Sequence, residues 1–151
     1  MLIAASGKGV CAITINTDRK ILLSDIKKRF PKAELTLSNN ESEALMENAV
    51  KAVEQPSSRL NFNLDMHGTP FQMSVWKALR QIPYGKTASY GEIAKKIGKP
   101  KAVRAVAQAC SANPVAVLVP CHRVIRSDAS LSGYRWGAER KRKLLQREQK
   151  K

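Results

Sequence analysis

The spacing of apolar residues changes several times along this chain, and each change marks an element. Val10 to Ile15 alternates, with Ile13 and Ile15 on one face, which predicts a strand. Ile21 to Leu23 can return as a hairpin partner after the Asn16-Thr17-Asp18 turn. Ser24 then stands as the N-cap of a short helix ending near Phe30-Pro31, and Ser38 to Asn40 can cap a longer helix running to about Val53. Pro56-Ser57-Ser58 breaks it. From Arg59 to Met66 the apolar residues Leu60, Phe62, Leu64 and Met66 take every second position, the period of a half-buried strand.

Beyond this point the period becomes helical. Thr69-Pro70-Phe71-Gln72 carries a cap, a proline suited to the first helical position and the glutamine of a capping box. Phe71, Val75, Ala78 and Leu79 then share one face, and Pro83-Tyr84-Gly85 is a turn. Ser89-Tyr90-Gly91-Glu92 is a second capping box, opening a helix that reaches Ile97 and stops at Gly98. Another helix follows over about Lys101 to Cys110, so the pair reads as a helix-turn-helix. Its second helix has Ala102, Ala105, Ala107 and Ala109 but no Asn or Arg series to read base edges, a composition that fits close backbone approach or tight core packing equally. Val115 to Val119, bounded by Pro114 and Pro120, predicts a short buried strand. Residues 127–136 form a loop, and Ala138 to Gln149 a basic terminal helix docked by Leu144 and Leu145. The expected fold is α/β (α+β): a small sheet-and-helix domain over 1–67, then a mostly helical domain over 68–151.

Composition narrows the function. An apolar content of 43% in 151 residues suffices for a core without staples. The net charge of +15 is uneven: residues 1–75 hold 9 Lys/Arg against 8 Asp/Glu, while residues 76–151 hold 18 against 4. Such a field suits a phosphate backbone, although the basic residues of the terminal helix are explained equally by a solvated face. Cys11, Cys110 and Cys121 form an odd set without CxxC spacing, which disfavours disulfides and a zinc site and predicts a reducing, cytoplasmic setting. No secretory segment or bilayer-length apolar run is present, so no membrane partner is expected.

The chemistry concentrates at Pro120. Its missing N–H ends the apolar run and puts Cys121 and His122 on a turn, where a thiol and an imidazole can cooperate as nucleophile and base. Taken alone, a cysteine beside an apolar strand is more often a small core hydrophobe. The longer segment Pro120-Cys121-His122-Arg123-Val124, with Asn113 eight residues before the cysteine, resembles the active-site signature of the O6-alkylguanine-DNA alkyltransferases, the methylated-DNA–protein-cysteine methyltransferases. The resemblance extends through most of residues 68–148. Gly98-Lys99-Pro100, Arg104-Ala105-Val106 and Ser132-Gly133-Tyr134-Arg135-Trp136-Gly137 are most similar to the bacterial adaptive-response (Ada) branch.

That resemblance implies a single-turnover repair of double-stranded DNA by a monomer that needs no cofactor and no metal. Cys121 would accept the alkyl group, mainly methyl, from O6-alkylguanine and possibly O4-alkylthymine. His122 would take the thiol proton through a water, Glu148 would orient the imidazole, Asn113 would hold the turn and Tyr90 would assist the departing guanine. The alanine-rich helix, with Ala102, Ala105 and Ala107, would enter the minor groove with little sequence preference, and Arg104 would fill the space left by a rotated-out nucleotide. Backbone carbonyls at Cys121 and Val124 would read the guanine amino group. Tyr134, Arg135 and Trp136 would line the pocket, the indole narrowing it. The family's first N-terminal strand is expected to be missing, and with no metal-bound cysteine domain in the chain, phosphotriester repair and gene activation are not implied. The competing readings are a non-catalytic helix-turn-helix regulator and a lesion sensor on the same scaffold, the latter disfavoured by Cys121.

Overall fold

The computed structural model describes residues 1–37, 41–55, 63–131 and 133–150. Its centre of organisation is a strand with a different neighbour on each edge. Strands β1 (Leu2–Ser6) and β2 (Gly9–Thr14) form an antiparallel hairpin in which Leu2 faces Thr14. On the other edge of β2, Val10 makes a parallel bridge to Leu64 and Ile13 one to Val115. The Ile13 N–H donates to the Pro114 carbonyl at 2.9 Å, and the Ala116 N–H returns to Ile13 at 3.1 Å. The N-terminal sheet therefore holds the segment that leads into Cys121.

Three sequence expectations change here. Ile21 to Leu23 is not a hairpin strand: β2 finds its partner upstream in β1, and residues 21–23 lie in helix α1 (Arg19–Arg29). The cap of α1 is Asp18, whose side chain accepts the Lys20 N–H at 2.8 Å, and not Ser24, which lies inside the helix. An aspartate one residue ahead of the helix satisfies an otherwise orphaned donor sooner than Ser24 could. Val115 to Val119, expected as a strand, contracts to a single bridge at Val115 followed by turns, with Val117 at a φ of 67°. A β-branched residue in the left-handed region costs on the order of 1–3 kcal/mol, so the surroundings must hold it there.

Helix α2 (Glu41–Glu54) matches the second expected helix, while its proposed caps at Ser38 to Asn40 lie outside the described residues. The Arg59 to Phe62 part of the expected strand also lies outside them, and Leu64 contributes one bridge. Helices α3 (Pro70–Leu79) and α4 (Tyr90–Lys96) begin with the two capping boxes read from the sequence, on Thr69 with Gln72 and on Ser89 with Glu92. Helix α5 (Val103–Ser111) crosses both, and the Trp76 indole of α3 donates to the Ala109 carbonyl at 2.8 Å. Ala109 and Cys110 face this core, whereas Arg104 is exposed and Ala105 and Ala107 are half-buried; Ala102, also half-buried, is the cap of α5. Strand β3 (Ala88–Ser89) pairs in parallel with β4 (Val124–Ile125), and helix α6 (Ala138–Gln149) closes over the turn at Cys121–Arg123. No helix among the described residues is long and apolar enough to cross a membrane.

Candidate active site

Asn113 builds the turn that carries the cysteine. Its side-chain carbonyl accepts the Val115 N–H at 2.9 Å, and its amide donates to the Val119 carbonyl at 2.8 Å. These bonds bridge the two ends of the segment around Val117 and hold it in a conformation that a valine avoids by itself. The same amide lies 3.2 Å from Cys121 Sγ. Asn113 has no exposed surface, and Cys121 is 4% exposed.

Burial pushes the Cys121 thiol up to about 11, against which the Asn113 hydrogen bond and the positive charge of Lys141 work. Cys110 is pushed up to about 12, again by burial and further by the charge of Cys121. Neither is a thiolate at neutral pH, so nucleophilic attack by Cys121 requires a base.

His122 is fully buried, with Nε2 2.7 Å from Glu148 Oε1. Burial pushes the Glu148 carboxyl up, but hydrogen bonds from His122 and Arg123 outweigh this and hold it at about 2. An ionised carboxylate can only accept, so Nε2 carries the proton and Nδ1 keeps its lone pair. Nδ1 is buried and has no hydrogen-bond partner among the described residues. Burial, opposed by Glu148, lowers the His122 pKa and favours this neutral form. The imidazole is thus a base with its acceptor nitrogen free.

Glu148 is held from several sides. Arg123 Nε donates to Oε2 at 2.9 Å and Nη2 to Oε1 at 3.0 Å, a bidentate grip, while Nη1 donates to the Ile82 carbonyl at 2.8 Å. The backbone N–H of Gly85 adds a bond to Oε2 at 3.1 Å. A buried carboxylate costs several kcal/mol unless its lone pairs are filled, and here four donors fill them. Sequence reasoning assigned Glu148 only to His122. Arg123 was visible inside the signature, but its partner lies 25 residues away and could be seen only in the fold.

Lys141 reads in the sequence as one more charge on a basic helix, with no local signal that sets it apart. It has no exposed surface, and its ammonium donates to the Val124 carbonyl at 2.6 Å. The carbonyl expected to read guanine therefore already accepts one bond, leaving its second lone pair. Burial lowers the Lys141 pKa, and the charge that remains favours ionisation of both Cys121 and Cys110.

Tyr90 opens α4 directly after Ser89, whose ladder partner is Ile125, so the β3–β4 pair brings it to the active turn. Tyr134 and Trp136 pack edge to face, with ring centroids 5.2 Å apart, and Trp136 is 6% exposed. Both side-chain polar atoms, the Tyr134 hydroxyl and the Trp136 indole nitrogen, are buried without hydrogen-bond partners among the described residues. Burial raises the Tyr134 pKa, and the charge of Cys121 raises it further. Arg135, whose guanidinium lies 5.9 Å from the centroid of the Trp136 ring, reaches across to α1 and pairs with Asp25 at 2.5 Å.

A buried thiol, a neighbouring imidazole and a clamped carboxylate on that imidazole are the groups that nucleophilic cysteine chemistry requires. The family described as 6-O-methylguanine DNA methyltransferase, DNA binding domain, matches residues 70–150. The chain is 47% identical to the bifunctional transcriptional activator/DNA repair enzyme Ada of Escherichia coli over 97% of its own length and 42% of that protein's. It is 41% identical to the inducible methylated-DNA–protein-cysteine methyltransferase of Bacillus subtilis, covering 98% of this chain and 83% of the relative. Its fold is similar to that of Mycobacterium tuberculosis OGT solved in complex with DNA, with a TM-score of 0.78 and 35% identity, covering 97% of this chain and 84% of that one. The chain belongs to the methylated-DNA–protein-cysteine methyltransferase family. It spans less than half the length of the E. coli relative.

Proposed function

We propose that this chain repairs alkylated DNA directly, moving the alkyl group from O6 of guanine to Cys121. The observation that carries the reading is a buried thiol followed directly in the chain by a buried imidazole whose Nε2 is committed to Glu148. The thiol proton passes through a water to His122 Nδ1. A bond forms between Cys121 Sγ and the alkyl carbon as the carbon–O6 bond breaks, and the electron pair leaves with guanine. Tyr90 offers a hydrogen bond to the departing ring. The product is a thioether, which no thiol reductant reverses, so each molecule acts once and no cofactor takes part.

Residues 68–151 act on duplex DNA, with residues 1–67 as a supporting sheet-and-helix unit. Ala102, Ala105 and Ala107 let α5 approach the minor groove, and exposed Arg104 supports the extruded nucleotide. Few base-edge readers on α5 mean little sequence preference. The protein works as a cytoplasmic monomer on mainly methyl lesions, O4-alkylthymine being a secondary substrate.

Incubation with a duplex containing O6-methylguanine, followed by intact-protein and peptide mass measurement, tests the proposal. The expected result is one added methyl group on Cys121, none on Cys11 or Cys110, and none in Cys121→Ala. Methylation of Cys110, or a bound but unmodified protein, would overturn it.

A further inference from the structure

Helix α1 grips the active site at two places. Arg135 Nη2 pairs with Asp25 Oδ1 at 2.5 Å across 110 residues of chain, and Arg135 Nη1 reaches the Ser111 carbonyl at 3.4 Å. Arg29, one turn further along α1, donates to the Ala112 carbonyl at 3.4 Å. Ser111 and Ala112 immediately precede Asn113, which holds Cys121 Sγ. Arg135 lies in sequence between partly buried Tyr134 and buried Trp136, whose rings pack edge to face, and its guanidinium stands 5.9 Å from the Trp136 ring. One acidic residue of α1 thereby ties down the segment that carries Tyr134 and Trp136.

We infer that Asp25 is a positioning residue that sets which alkyl groups reach Cys121, by anchoring Arg135 and with it the Tyr134–Trp136 wall. The pair is suited to such control because it is not deeply buried: the Asp25 and Arg135 side chains are 28% and 25% exposed. A partly exposed ion pair is strong enough to bias the position of a wall without fixing it. Breaking it leaves Cys121, His122, Asn113 and Glu148 with all their own bonds. The wall alone loosens, so a bulky electrophile gains more than a small one.

The inference rests on the alkyl-transfer reading for its biological meaning, and its test does not depend on that reading. Cys121 of the full chain is labelled with iodoacetamide and with N-phenylmaleimide, each followed by peptide mass, in parallel with free O6-methylguanine and O6-benzylguanine. In Asp25→Ala the bulky-to-small rate ratio rises about fivefold for both pairs of reagents, equal to about 1 kcal/mol at 1.36 kcal/mol per tenfold. Asp25→Asn, which keeps the shape, gives the same direction, and the reversed pair Asp25→Arg with Arg135→Asp returns the ratio toward the starting value. An unchanged ratio in Asp25→Asn and Asp25→Ala, or a raised ratio that pair reversal fails to restore, overturns the inference. Selective labelling that follows the expected pattern while neither guanine reacts would support the wall and count against alkyl transfer.

Discussion

Gly85 donates its backbone N–H to Glu148 Oε2 at 3.1 Å, joining the Pro83-Tyr84-Gly85 turn to the last helix across 63 residues. The bond requires the conformation only glycine adopts readily: Gly85 has a φ of 72°, and a Cβ there would lie 3.1 Å from the Glu148 carbonyl oxygen. Gly85→Ala should therefore lower stability by about 1–2 kcal/mol, the cost of a left-handed non-glycine residue. Urea unfolding measures this directly. Slower alkyl transfer should accompany it, because the shifted residue is the partner of His122.

Acid should weaken the same cluster. Glu148 sits at about 2 in the folded protein against 4.5 for the free group. Its contribution to stability is complete above about 4.5 and is lost as pH falls toward 2. His122, lowered from 6.5 by burial, acts in the same direction, since protonation below its unfolded value favours the unfolded chain. Unfolding free energies measured from pH 7 to pH 3 should fall, and the gap between the unaltered protein and Glu148→Gln should close with acidification. A gap that stays constant would show that the carboxylate is not the titrating group.

Trp136 is buried and packs edge to face on Tyr134, and the expectation that its indole narrows the alkyl-binding site can be tested by substrate size. Methyl transfer from the free base should be efficient and benzyl transfer poor. Trp136→Gly should raise benzyl transfer about ten- to hundredfold, the equivalent of relieving roughly 1–3 kcal/mol of overpacking. Equal rates for both bases in the unaltered protein would make Trp136 a packing residue.

Arg104 is exposed near the start of α5, within the half of the chain that carries most of the positive charge. Arg104→Ala should slow repair of duplex more than reaction with the free modified base, because extruding a nucleotide costs on the order of a few kcal/mol that the free base does not incur. Binding should also weaken steeply with salt and depend little on sequence. Strong sequence preference at unchanged affinity would favour a regulator.

Much of the helical half was legible in the sequence because its signals act over three or four residues. Thr69 with Gln72 and Ser89 with Glu92 satisfy each other's backbone within one turn, so their boxes mark helix starts wherever the rest of the chain lies. The Pro-Cys-His-Arg-Val run pointed to its chemistry by resemblance to a family signature, since a cysteine beside an apolar run is locally no more than a small hydrophobe. Tertiary structure decided what depended on distant partners. Whether β2 paired with residues 2–6 or 21–23 was a choice between two short apolar runs, and alternation does not distinguish them. The run from Val115 to Val119 has strand composition, yet Asn113 bonds to both of its ends and Ile13 takes only its first residue, so it turns. Arg123, Gly85 and Lys141 look like an ordinary cation, a turn glycine and a helix charge until the fold surrounds them with Glu148 and Val124. Asp25 and Arg135 meet across 110 residues. A desolvated charge takes its meaning from the groups that fill its lone pairs or protons, and only folding brings those groups together.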